Sequence, residues 1–169
     1  MDFVKAKEIL KAIEALDPDS VNTILEALKI AEHVEAASGE FYKKEAEKTA
    51  GSGLEAFFNF LVKEEDMHLA KIKELEGMLK KGKMDNIKFT ITAPPGIHAI
   101  PSGQEEMTAV LYGLWREKKA VEFYTQAGEK TAGAVKKFFL ELAGFEKGHV
   151  ALFEQIVESA QNTEELIMG

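Results

Sequence analysis

Six residues of this chain carry the chemistry of metal ligation. Glu35 alone, then Glu65 and His68 three residues apart, recur 82 and 81 residues later as Glu117, then Glu146 and His149. Each set supplies one lone Glu and one Glu-x-x-His pair. Four carboxylates with two imidazoles are the donor set of a dinuclear site inside a four-helix bundle. Oxygen and nitrogen donors without thiolate suit iron or manganese, with zinc as a substitute. Charge points the same way. Four ionised carboxylates in a core are costly unless compensated, and two divalent cations neutralise them in full. Oxidation of the metals leaves a positive surplus that calls for anions, so oxygen or peroxide chemistry is the expectation.

A single Glu-x-x-His decides nothing, because chance supplies roughly half a match in a chain this rich in Glu. Repetition carries the weight. Both pairs occupy corresponding places in an internal repeat, and each follows a helix with a Glu at the matching place. Glu40-Phe41-Tyr42 matches Glu122-Phe123-Tyr124, and Glu47-Lys48-Thr49-Ala50-Gly51 matches Glu129-Lys130-Thr131-Ala132-Gly133. Phe57, Phe58 and Leu61 match Phe138, Phe139 and Leu142. A metal-free bundle with its Glu residues in water leaves these coincidences without a cause.

The elements that must position the six residues read as helices. Positions i and i+3 share a helix face, so each Glu-x-x-His pair chelates from one side. Apolar neighbours turn that face inward: Phe58, Leu61, Val62 and Leu69 around the first pair, and Leu142, Phe145, Val150 and Phe153 around the second. A short amphipathic helix over 3–16 is followed by a turn at 17–20. A helix over 20–49 closes at Gly51. A capping box at Ser52-Gly53-Leu54-Glu55 opens the next, which ends at Lys80-Lys81-Gly82. Residues 83–101 hold Pro94, Pro95 and Pro101, which break any helix, and Lys88–Thr92 suits a short extended piece. A second capping box, Ser102-Gly103-Gln104-Glu105, opens a helix to about 131, and the last helix spans 134–161 with a tail at 162–169.

The expected fold is all-α: two duplicated antiparallel hairpins, 20–82 and 102–161, joined by a long crossover, plus the N-terminal helix, in a single domain over 1–169. Helices of this size reach about 42 Å. The crossover spans about 65 Å when extended, enough to run the length of the bundle. One long crossover between two hairpins is the ferritin-like arrangement.

Composition narrows the rest. The chain has 169 residues, a formal net charge of −8 and no cysteine. The acidic balance argues against nucleic acid. The absence of cysteine excludes disulfides, thiolate metal sites and thiol nucleophiles. No segment approaches a membrane span, and the charged N-terminus is unlike a secretory signal, so a soluble cytoplasmic protein is the expectation.

Glu35-x6-Tyr42 with Phe41, Phe57-Phe58-x2-Leu61-x3-Glu65-x2-His68 and their second copies resemble the rubrerythrin branch of the ferritin-like diiron proteins. The resemblance covers roughly residues 25–160. It implies two iron ions bridged by Glu65 and Glu146, terminal carboxylates from Glu35 and Glu117, and one imidazole per metal from His68 and His149. It further implies reduction of hydrogen peroxide or dioxygen, and a homodimer. Many relatives carry a cysteine-rich rubredoxin module. This chain has none, so its electrons would come from an external redox protein. Rubrerythrins also carry an extra Glu one turn after the lone Glu of the third bundle helix; here that position is Ala120, with Ser38 as its counterpart.

Two other functions fit the same ligands: iron storage of the ferritin kind, or a bundle whose metal is purely structural. Storage needs a shell of many subunits, and ferritin centres are asymmetric where this repeat builds a symmetric one. Tyr42 and Tyr124, two turns past the lone Glu residues, suit hydrogen-bond donors behind the ligands, radical traps, or core tyrosines with a satisfied hydroxyl. His33 and His98 read as surface and loop residues, and Trp115 as packing or interface.

Overall fold

A computed structural model describes the backbone of residues 21–83, 87–90, 92–94, 96 and 99–168, with side chains from 24 to 163 within those spans. The N-terminal helix expected over 3–16, the turn after it and His98 lie outside these residues. Four helices account for the described fold: α1 (Val21–Lys48), α2 (Gly53–Lys80), α3 (Gln104–Glu129) and α4 (Gly133–Met168). No strand occurs among the described residues, and 87–90 belongs to no regular element.

Local chemistry sets the helix ends. Gly51, at φ +84°, lets the chain leave α1 in the left-handed region. Ser52 then caps α2, its Oγ accepting from the Leu54 N–H at 3.2 Å. Glu55 completes the cap one residue further back than a capping box requires, accepting from the Gly51 N–H at 2.6 Å. α2 closes in a Schellman motif: the Lys83 N–H donates to the Met78 carbonyl and the Gly82 N–H to that of Leu79, with Gly82 at φ +66°.

The second start departs from the sequence reading. Gly103, not Ser102, is the N-cap of α3, and it offers no side chain. Glu106 reaches back instead, accepting from both the N–H and the Oγ of Ser102, at 2.7 and 2.9 Å. α4 also runs past 161 to Met168. Neither Gly nor Pro follows Gly148 until the final residue, and Ser159 and Thr163 satisfy their hydroxyls on the carbonyls four residues back. Nothing in that stretch stops a helix.

α1 lies along α2, and α3 along α4, as two antiparallel hairpins; α1 also meets α3. Gly113 makes one approach close: a Cβ there would collide with the Phe153 ring across the α3–α4 contact. The core falls into two apolar clusters. One gathers Leu28, Ala31, Ile72, Leu75, Phe139 and Leu142, with Ile87 and Phe89 of the crossover laid against it. The other gathers Tyr42, Phe57, Phe58, Leu61, Val110 and Phe153. Along every helix the candidate ligands fall between these clusters. The apolar ends hold a polar layer at mid-length, and that layer is where the chemistry sits.

Candidate metal centre

All six expected ligands are buried, none more than 3 % exposed. The helices bring them into two groups whose donor atoms lie within 4.8 Å of one another. Glu35, Glu65, His68 and Glu146 form one; Glu65, Glu117, Glu146 and His149 form the other. Glu65 and Glu146 belong to both. His68 Nδ1 lies 3.2 Å from Glu35 Oε2, 3.1 Å from Glu146 Oε1 and 3.8 Å from Glu65 Oε2. His149 Nδ1 lies 3.2 Å from Glu146 Oε2 and 3.4 Å from Glu117 Oε2. The two rings stack, with centroids 5.6 Å apart and planes 24° from parallel.

The tyrosines cross between the halves. Tyr42, on the helix of Glu35, donates its hydroxyl to Glu117; Tyr124, on the helix of Glu117, donates to Glu35. Both are fully buried. Each lone carboxylate is thus held by the other hairpin, which ties α1 to α3 at the polar layer.

Four buried carboxylates cannot all keep their charge without compensation, and protons supply it here. Burial and the neighbouring Glu35 and Glu146 carboxylates push Glu65 well above its ordinary range. Burial and Glu146 raise Glu117 to about 8, although His149 pulls the other way. Burial also raises Glu146, but a hydrogen bond from Glu117, the charge of His68, and the hydrogen bond and charge of His149 outweigh it and hold that carboxyl well below the usual range. For the histidines burial favours the neutral ring, yet the carboxylates win. His149 rises to about 10, chiefly through Glu117 and Glu146, and His68 rises well above its ordinary value through Glu146 and Glu35. Burial, reinforced by Glu117 and Glu35 respectively, drives the Tyr42 and Tyr124 hydroxyls upward, so both stay protonated donors.

This donor set fits divalent metals. Each imidazole turns Nδ1 toward the carboxylates. Glu65 Oε1 and Glu146 Oε1 are buried without a hydrogen-bond partner, the latter lying near His68 Nδ1 but outside hydrogen-bond geometry. Orphaned oxygens on the two shared carboxylates are what metals would satisfy. The buried Glu/His groups can therefore hold metal ions.

Several contributors escape a reading of spacing alone. Arg116 is buried beside Glu117, donates from Nη2 to Ser38 Oγ at 2.9 Å, and lies 5.5 and 5.9 Å from the ring centres of Phe41 and Tyr112. Its repeat counterpart is Val34, and an arginine replacing a core valine was the available signal. Ser38 is thus engaged by Arg116, and Ala120, its repeat counterpart, is buried. Glu64 is a further buried carboxylate. Among the other candidates, His33 is exposed, and Trp115 is half-buried and stacks on Tyr112 at 5.6 Å.

Aromatic rings surround the layer. Phe145 and Phe89 lie 5.3 and 6.4 Å from the His68 ring, and Phe60 lies 6.3 Å from that of His149. A cavity of about 500 Å³ opens between α2, α4 and the crossover, and His149 forms part of its wall.

No family model, curated protein or solved structure matches the chain. No described helix is long and apolar enough to cross a membrane.

Proposed function

We propose that this chain is a non-haem dinuclear metal protein of the ferritin-like, rubrerythrin branch, built by duplication of one helical hairpin. Its activity is reduction of hydrogen peroxide or dioxygen with electrons from an external redox protein. One observation carries the reading: two four-residue donor groups share Glu65 and Glu146. Sharing two carboxylates keeps two ions close together, which separate mononuclear sites would not require. Duplication is supported by the crossed tyrosines and by Thr49 and Thr131. These repeat counterparts are both buried and donate to the carbonyls four residues back, of Glu45 and Ala127, at 2.7 and 2.8 Å.

Glu35, Glu65, His68 and Glu146 would hold one ion, and Glu65, Glu117, Glu146 and His149 the other. Bound iron supplies the two electrons that, with two protons, turn one peroxide into two waters. The protein's own part is positional. Tyr42 and Tyr124 fix the outer carboxylates Glu117 and Glu35 by donating to one oxygen of each, leaving the other oxygen for metal. Phe60, Phe89 and Phe145 keep bulk water from the imidazoles, which strengthens every charge interaction in the layer.

Rapid mixing of the reduced, iron-loaded protein with hydrogen peroxide tests the proposal. Reoxidation faster than free ferrous iron, repeatable after each re-reduction, is the expected result. A rate equal to that of free iron contradicts the oxidoreductase reading and leaves a structural or storage site.

A further inference from the structure

The cavity beside His149 has the features of a binding site. Its volume of about 500 Å³ lies in the range of small-molecule pockets. Phe60, Phe145, Leu152 and Pro94 give it an apolar wall. Beside the more exposed Thr92 and Glu141, two largely buried polar residues line it. His149 is 3 % exposed, lines the cavity and spends Nδ1 on the carboxylates, which leaves its buried Nε2 without a partner. Glu64 is also 3 % exposed and lines the same cavity, and no hydrogen bond or ion pair joins its carboxylate to another described residue. The buried His149 Nε2 is a donor left open, costly unless a ligand or water satisfies it, and the Glu64 carboxylate beside the same cavity is an acceptor within the same wall.

The opening has a cause in the sequence. Gly144 and Gly148 stand one turn apart on α4, and a Cβ at either would meet nothing within 4 Å. Their repeat counterparts are Lys63 and Met67, and the ring on that side, His68, is packed against Phe145 and Phe89. The cavity is therefore a departure from the repeat that gives the polar layer one approach.

We propose that this cavity binds a small apolar alcohol or phenol. Its ring or chain lies against Phe60, Phe145 and Leu152, and its hydroxyl accepts from His149 Nε2–H while donating to Glu64. A hydroxyl is the smallest group that answers both partners at once. The pocket stands on the cavity itself. The ligand's role as a substrate or reductant at the metals rests on the dinuclear reading above.

Calorimetric titration with 1-naphthol and with naphthalene, on metal-free and metal-loaded protein, tests this. Saturable binding of one naphthol per chain is expected, about fivefold tighter than naphthalene, as one hydrogen-bonded hydroxyl supplies. Gly148→Leu should fill the cavity and weaken naphthol at least tenfold. Glu64→Leu should remove the preference for naphthol and leave naphthalene binding in place. Gly144→Ala, which enters open space and favours the helix, should fold at least as well as the parent and weaken binding less than Gly148→Leu. Absence of saturable binding to the parent protein, or equal binding by Gly148→Leu with its helix content intact, overturns the proposal. Metal content measured on the same samples separates the two ideas. Naphthol binding without metal uptake keeps the pocket and removes the dinuclear reading, whereas two metals without naphthol binding removes the pocket alone.

Discussion

Tyr42 and Tyr124 each secure the carboxylate of the opposite hairpin, so a single hydroxyl links a candidate metal ligand to the packing of two helices. Tyr42→Phe or Tyr124→Phe removes a buried donor and leaves Glu117 or Glu35 short of a partner. Each should lower stability by about 1–3 kcal/mol in denaturant unfolding and weaken metal binding by roughly 10- to 100-fold. The shared ligands should behave differently from the rest. Glu65→Ala or Glu146→Ala should abolish uptake of both ions, whereas His68→Ala should spare one, as counted by mass spectrometry of the metal. Protonation gives a further signature. Glu117 at about 8 and His149 at about 10 both stand above their ordinary values. Their contribution to the metal-free fold is therefore present at low pH and lost as pH rises through those values. Glu146 has the opposite sign, so its contribution is lost in acid. Metal-free protein should lose stability between pH 6 and 10, read as a falling urea midpoint, while metal-loaded protein should hold level there. Metal uptake at pH 7 should release protons. Spacing pointed to the six residues that the structure gathers in the buried layer, and to both tyrosines, because helical periodicity places them on inward faces. It did not show that the tyrosines cross, since which hairpin a side chain meets depends on how helices pack. Nor did it expose Glu64, whose charge looks like any other in a helix so rich in Glu.

At the scale of the helices, the two ends that the sequence describes most firmly, Gly51 and Gly82, have a backbone requirement that only glycine meets easily. The start of α3 was less legible. A capping box has the same residue types whether Ser or the following Gly is the cap, and Glu106 competes with Glu105 for the role. The length of α4 was likewise hidden, because the polar run at 161–165 interrupts its apolar stripe yet contains nothing that ends a helix. Close helix contact makes a sharper prediction. Gly113→Ala pushes a methyl into the Phe153 ring and should destabilise by about 1–3 kcal/mol. Gly77→Ala on α2 meets nothing within 4 Å and should stabilise by about 0.5–1 kcal/mol. Thermal unfolding of the two variants side by side separates packing from propensity.

For the whole molecule, two apolar clusters enclose one acidic layer in a chain whose formal net charge is already −8. The all-helical bundle was legible because a repeat with a polar centre and apolar flanks admits few other arrangements. The cavity was not, because it arises where the two halves differ. The layer's charge should govern the stability of the entire bundle: removing metal with a chelator should lower the melting temperature, and restoring divalent metal should recover it. The most direct test of the dinuclear centre is metal content by mass spectrometry on protein from an iron-replete host, with a visible spectrum before and after hydrogen peroxide. Two iron ions per chain, with an absorption band that reduction bleaches and peroxide restores, is the expected result. Protein that folds with its acidic layer buried and holds no metal would contradict the dinuclear reading outright.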